Sequence, residues 1–251
     1  MTGITLLALE TATEHCSVAL WQRDADGHVH VVARRLHAPR QQTELILPMV
    51  DEVLSESGLV LGQLTALAYS CGPGAFTGVR IAAAVAQGLA MGADLPVVPV
   101  GSLQTLAQAT HRQFGACFAL AAFDARMQEV YAGAYAVDAS GLMQALTPDV
   151  AGASDKLPDD FRQRWQEAVS SGNGLAVAAG SGWATYADTL AQALPVQHIY
   201  AELAPDAEDF ALAHRGFQTD ADERVNLAVL IAFGFLQQTV NLLDGQIGNP
   251  A

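Results

Sequence analysis

The segment Gly72-Pro73-Gly74-Ala75-Phe76-Thr77-Gly78-Val79-Arg80 separates an apolar, strand-like run (Leu64 to Tyr69) from a run of helical composition (Ile81 to Met91). Three glycines and a proline give a turn that side chains do not crowd, open to another backbone or a phosphate. Thr77 is placed to cap the following helix, leaving backbone N–H groups behind it as a partly positive site. Arg80 then falls in the first helical turn, where the helix dipole disfavours a cation. Two readings stay open: an outside partner, either an anion or a carboxylate on another chain, or a plain strand–loop–helix turn with a solvated arginine.

At 251 residues the chain makes one large domain or two of ordinary size, and 51% hydrophobic residues suffice for a packed core. The longest apolar run, Leu227 to Leu236, is too short for a bilayer, and the N-terminus lacks a signal-peptide shape, so no membrane role is expected. Cys16, Cys71 and Cys117 form no CxxC pair, which indicates neither zinc nor disulfides and fits a reducing cytoplasm. The net charge is −14 and Lys156 is the only lysine, so the chain repels nucleic acid; any RNA contact falls mainly to another subunit.

Strands are expected from Ile4 to Leu9, His15 to Gln22 and Val29 to Leu36, with turns at Glu10 to Glu14 and Asp24 to Gly27. A helix follows from about Thr43 to Ser57, closed by Gly58, with Pro48 leaving its first turn uncertain. Then come a strand (Thr65 to Ser70), the glycine loop, a helix (Thr77 to Met91), a strand (Leu95 to Val100) and a helix from Ser102 to about His111. The order repeats more loosely: strands at Cys117 to Phe123 and Glu129 to Val137, a helix at Asp155 to Val169, a strand at Leu175 to Ala179, a helix at Tyr186 to Leu194, a strand at Val196 to Tyr200 and a helix at Asp206 to Phe217. Two related α/β lobes are expected, over 1–101 and 102–217, with a tail over 218–251.

On the helix after the glycine loop, Ile81, Val85 and Leu89 form one stripe and Val79, Ala83, Ala86 and Ala90 a second. Apolar residues on two faces imply burial on both. One reading buries the second stripe beneath the chain's own second domain; the sharper reading gives the first stripe to the chain's own sheet. The small-residue stripe then packs on a partner, with Arg80 at its edge and Leu45, Met49 and Val53 of the preceding helix beside it.

These residues resemble the TsaB (YeaZ-like) family of the bacterial machinery for the tRNA base N6-threonylcarbamoyladenosine. The resemblance rests on Glu10-Thr11-Ala12-Thr13-Glu14-His15-Cys16-Ser17-Val18-Ala19-Leu20, on Leu47-Pro48-Met49-Val50, on the glycine loop through Arg80, and on Asp124-Ala125-Arg126-Met127-Gln128-Glu129-Val130-Tyr131. It is good from residue 4 to about 135, weaker to about 217 and poor beyond. It implies an α/β, actin-like (ASKHA) fold of two ribonuclease-H-like lobes with mixed sheets. It further implies a non-catalytic scaffold subunit pairing with TsaD, which TsaE joins with ATP, for threonylcarbamoyl transfer to adenosine 37 of tRNAs reading codons that begin with A. A homodimer in the absence of TsaD is compatible with it.

Thr11, Thr13, Gly72, Gly74 and Thr77 occupy positions like those of a nucleotide loop, but no cofactor of its own is expected; ATP and metal belong to the partner subunits. Histidines at 15, 28, 30, 37, 111, 198 and 214 include no i, i+4 pair, so neither a metal site nor a catalytic residue is expected. Three departures from the family pattern stand out. Glu10 replaces an aspartate, Ala75 replaces a serine, and after Arg224 an apolar, helix-like tail stands where the family has a strand. The competing readings are a stand-alone actin-like ATP-dependent phosphotransferase and a homodimeric binding protein.

Overall fold

The computed structural model describes residues 4–24 and 26–213. The expectations for the tail after Arg224, the segment 218–251 and His214 lie outside the described residues.

Three strands open the chain, β1 (Ile4–Glu10), β2 (His15–Arg23) and β3 (Val29–His37), followed by α1 (Gln42–Glu56), β4 (Ala66–Ser70), α2 (Phe76–Ala93), β5 (Val97–Val100) and α3 (Ser102–Phe114). The second half holds β6 (Phe118–Arg126), β7 (Glu129–Val137), β8 (Met143–Ala145), β9 (Val150–Ala153), α4 (Asp159–Ser171), β10 (Ala176–Ala179), α5 (Ser181–Ala193), β11 (His198–Tyr200) and α6 (Ala207–Ala213). The first sheet runs β3-β2-β1-β4-β5 and the second β11-β10-β6-β7-β8, with β9 also on β7. In each, a meander of antiparallel strands meets parallel ones through the strand that opens the unit, β1 or β6. Read in matching order, β6, β7, β8, β10 and β11 repeat β1 to β5. This duplicated mixed-sheet layout is the actin-like fold.

Alternation within the strands divides the first sheet's two faces. Leu7, Leu9, Val18, Leu20 and Leu67 join Ile46, Met49, Val50 and Val53 of α1 in one core. On α1 the turn Ser57-Gly58 stops the helix: Gly58 takes φ +66°, Leu59 N–H reaches Leu54 O at 3.0 Å and Gly58 N–H reaches Ser55 O at 3.1 Å. That is the two-bond ending that glycine permits. Pro48 sits inside α1, on its exposed side.

Helix α6 lies on β1 and β2, where Ala207 N–H donates to Ser17 Oγ at 2.9 Å. It is tied there by Arg35–Asp206 (3.3 Å) and to α3 by Arg112–Asp209 (2.6 Å). Around the second sheet, Phe161 and Trp165 of α4 and Trp183 and Leu190 of α5 close a second core.

Candidate functional site

The glycine loop closes against the turn between β1 and β2. Gly72 has φ +94° and its carbonyl accepts Ser102 N–H at 2.8 Å, tying the loop to α3. Ala75 N–H donates to Ala12 O at 2.7 Å, and Thr11 Oγ1 donates to Gly78 O at 2.7 Å. A Cβ at Gly74 would stand 2.4 Å from Ala12 O, and one at Gly78 would stand 1.9 Å from Thr11 O. These two glycines exist for backbone-on-backbone contact within the chain.

The same contacts decide whether the loop suits a nucleotide's phosphates. The Thr11 hydroxyl and the Ala75 N–H, the groups such a loop would offer, are spent on neighbouring carbonyls. Thr13 O accepts Gln42 Nε2 at 2.8 Å, and Thr13 Oγ1 takes His15 N–H at 3.3 Å. Thr77 is exposed and does not cap α2; Ala75 holds that position in extended backbone, because the helix begins two residues earlier than a cap at Thr77 requires. Neither the Thr11 hydroxyl nor the Ala75 N–H is free to meet a phosphate.

Glu10 ends β1 fully buried, and its carboxylate turns back to accept Ala12 N–H while Oε2 has no partner. Burial pushes its carboxyl up to about 7, against the pull of the Ala12 N–H and Ser70 bonds; Asp206 adds to the rise and Arg35 opposes it. Asp209 is pushed up to about 6, because burial outweighs its bond and charge pairing with Arg112. Among the described residues, one group of three side chains brings metal-ligating atoms within 4.8 Å, the exposed Asp24, Asp26 and His28. The Asp24 carboxylate already accepts the N–H groups of Asp26 (2.9 Å) and His28 (2.8 Å) in its own turn.

Helix α2 corrects the expected stripes. Its buried face is Gly78, Ala82, Ala86 and Ala90, one residue per turn against the sheet. Ala86 and Ala90 therefore do not belong to an exposed interface. Close approach of α2, enforced where Gly78 meets Thr11, leaves no room for larger side chains there. Val79 and Ala83 are half-buried, as are Ile81, Val85 and Leu89, which flank the core rather than fill it. Facing outward are Phe76 (72% exposed), Arg80, Ala84, Gln87, Gly88 and Met91 (87%). On α1, Met49 and Val53 are buried in the core and cannot meet a partner, Leu45 is half-buried, and Leu47 is the exposed apolar residue.

Sequence reasoning missed the outward set of Phe76, Ala84, Gly88, Leu47 and Met91. The signal was available: Gly78, Ala82, Ala86 and Ala90 form an unbroken i, i+4 series of small residues, the pattern of a helix lying close on a sheet. Phe76–Ala93 is also long and apolar enough to cross a bilayer by length and composition, contrary to the expected limit on apolar runs. It packs instead as an element of the first lobe, with 22% of it buried.

Residues 32–215 match the family model described as TsaD, tRNA N6-adenosine threonylcarbamoyltransferase. The tRNA threonylcarbamoyladenosine biosynthesis protein TsaB of Haemophilus influenzae is 42% identical over 200 residues, covering 74% of this chain and 75% of that protein. The chain belongs to the TsaB family. The Escherichia coli TsaB is 42% identical over 204 residues, 81% of this chain and 83% of the relative. A solved structure of YeaZ from Pseudomonas aeruginosa superposes with TM-score 0.70 at 36% identity, over 84% of this chain and 90% of that one. The tRNA N6-adenosine threonylcarbamoyltransferase of Maricaulis maris is 33% identical over 118 residues, 41% of this chain and 31% of its own length.

Proposed function

We propose that this chain is a non-catalytic pairing subunit in the biosynthesis of threonylcarbamoyladenosine in tRNA. The observation that carries the reading is the outward face of α2, an apolar surface on a long helix whose inner face is already satisfied by the sheet. An exposed Phe76 and Met91 at its two ends, with Ala84 and Gly88 between them, invite a second helix to approach closely. The relatives' names place them in threonylcarbamoyladenosine biosynthesis, and the match of residues 32–215 to the TsaD family model supports a TsaD homologue as the partner.

In this reading TsaE joins the pair, and the complex transfers threonylcarbamoyl to adenosine 37 of tRNAs reading codons that begin with A. ATP and metal reside in the partner subunits. The spent donors of the glycine loop support the view that this chain holds no nucleotide of its own. A net charge of −14 leaves tRNA binding mainly to the partners, and the complex works in the cytoplasm. Without TsaD, the same helix face closes on a second copy.

Copurification of the tagged chain with a TsaD homologue, run beside an ATPase assay of the isolated chain, tests the reading. The expected result is a stable pair and no multiple-turnover hydrolysis by the chain alone. Turnover by the isolated chain, lost in Thr11→Ala, would instead identify a stand-alone phosphotransferase.

A further inference from the structure

Arg80 is the fifth residue of α2 and is exposed at the start of its second turn. Its guanidinium carbon lies 3.3 Å from the centroid of the Phe76 ring, and Nη1 donates to Phe76 O at 3.1 Å. The arginine is thus folded over a ring that is itself 72% exposed. Those contacts engage one flat face and one N–H; a guanidinium has five N–H donors, so most of the fork stays free to donate.

Several arginines of this acidic chain are neutralised internally: Arg34 by Glu52 and Glu56, Arg35 by Asp206, Arg112 by Asp209, Arg162 by Asp159. Among the described residues no ion pair includes Arg80, although the chain carries 26 acidic side chains against 12 basic ones. It is the one cation on α2. One helical turn beyond it lies Ala84, and one turn further Gly88, where an added Cβ would meet nothing within 4 Å. A helix crossing over Ala84 and Gly88 comes close, and a side chain one turn from that crossing reaches Arg80.

Resting on the pairing reading above, we propose that Phe76 and Arg80 form a preset clamp for a carboxylate of the TsaD-family partner. Phe76 holds the guanidinium in place before the encounter, so little side-chain freedom is lost on binding. The free edge of the fork pairs with an Asp or Glu at the rim of the helix contact. A protein carboxylate is favoured over an RNA phosphate because the chain's net charge of −14 opposes a polyanion. A single rim carboxylate brings one charge rather than a polyanion's field, and repulsion from the rest of the chain is screened beyond about 8 Å at physiological salt.

The test measures the dissociation constant of the full chain with its cognate TsaD homologue at low and high salt, first without and then with tRNA, for wild type, Arg80→Ala, Phe76→Ala and Ala84→Arg. Circular dichroism checks the fold of each variant. Arg80→Ala is expected to weaken pairing several-fold and to flatten the salt dependence, since rim charges act through salt-sensitive attraction. Phe76→Ala should weaken pairing while keeping the salt dependence. Ala84→Arg should abolish pairing, which reports on the docking face itself. If Ala84→Arg abolishes pairing while Arg80→Ala binds as wild type, the clamp is wrong and the docking face stands. If Arg80→Ala weakens pairing without altering the salt dependence, the arginine only packs, and the carboxylate is overturned. If Arg80→Ala matters only once tRNA is added, the occupant is RNA and the proposal fails. If Ala84→Arg also pairs normally, the docking face lies elsewhere and the pairing reading falls with it.

Discussion

Helices α2 and α5 occupy matching places in the two lobes, between β4 and β5 and between β10 and β11, yet they distribute side-chain size in opposite directions. Each enters through a glycine turn pressed on the lobe's first strand or the turn after it. A Cβ at Gly74 would stand 2.4 Å from Ala12 O, and one at Gly180 would stand 2.4 Å from Ala122 O. Beyond that shared entry they diverge. α5 turns Trp183 and Leu190 into its core and leaves Ser181, Thr185, Asp188 and Gln192 outside. α2 turns in glycine and alanine and leaves Phe76 and Met91 outside. A helix that buries its large residues is finished within the monomer. One that exposes them keeps an apolar outer face; in the reading proposed above, the second lobe is closed at α5 and the first is prepared for contact at α2.

The largest expected effect tests which side of α2 is internal. Ala86 is fully buried, so Ala86→Arg forces a long charged side chain between helix and sheet and should prevent folding, seen as loss of the thermal transition. Two residues away, Ala84→Arg on the exposed side should leave the melting temperature within a few degrees of wild type. Similar outcomes for the two variants would dissolve the distinction between the faces. Next in size is Trp165→Ala in the closed lobe. It empties a fully buried site beside Phe118 and removes the indole bond to Pro195 O (3.1 Å). Urea unfolding should show a loss of about 3–5 kcal/mol, while pairing through the other lobe stays unchanged once the protein is folded.

Much of this architecture was legible in the sequence, for local reasons. The hairpins, the glycine loop and the Gly58 helix stop are written in turn chemistry, and the strands of both lobes in apolar runs. Boundaries moved where composition is neutral: α2 begins at Phe76 because the contact of the loop with Ala12 sets its start, a long-range cause that Thr77 cannot reveal. The short strands β8 and β9 escaped notice because they carry few apolar residues and exist by pairing with β7. The stripe assignment on α2 failed for a physical reason as well. Hydrophobicity favours burying Ile81, Val85 and Leu89, but Gly78 against Thr11 sets the helix so close that the small side chains alone fit beneath it. For the candidate site, the sequence indicated the right helix and the unusual Arg80, but not the direction each residue faces.

A smaller effect separates the lobes by pH. The carboxyl of Glu10 has its pKa raised from 4.5 to about 7 in the folded chain, so between those values the folded state holds a proton that the unfolded state has lost. Stability should therefore fall as pH rises from about 4.5 to about 7 and then level off. Asp209, raised to about 6, adds in the same direction over the lower part of that window. Glu10→Gln keeps a hydrogen-bonding side chain without the charge. It should gain on the order of 3 kcal/mol at pH 8 and little at pH 4.5. Urea midpoints at the two pH values check this; an equal gain at both would remove ionisation as the cause. Since Glu10 is fully buried and takes no part in the outward face of α2, pairing should be unchanged.

The smallest expected effect on the monomer is the most informative about the open face. Met91 is 87% exposed near the end of α2 and has no role in the chain's own core. Met91→Gln keeps the length and helix propensity of the side chain, so the stability of the isolated chain should change by less than about 0.5 kcal/mol. Its consequence belongs to the contact. With the apolar end of the face made polar, the dissociation constant for the TsaD homologue should rise several-fold, and the variant should show less self-association when alone. The corresponding surface change in the closed lobe, Gln192→Met on α5, should alter neither quantity. If Met91→Gln pairs like wild type while Ala84→Arg does not, the contact is confined to the first half of α2 near Phe76 and Arg80. If neither variant affects pairing, the contrast in side-chain size between α2 and α5 does not mark the partner surface.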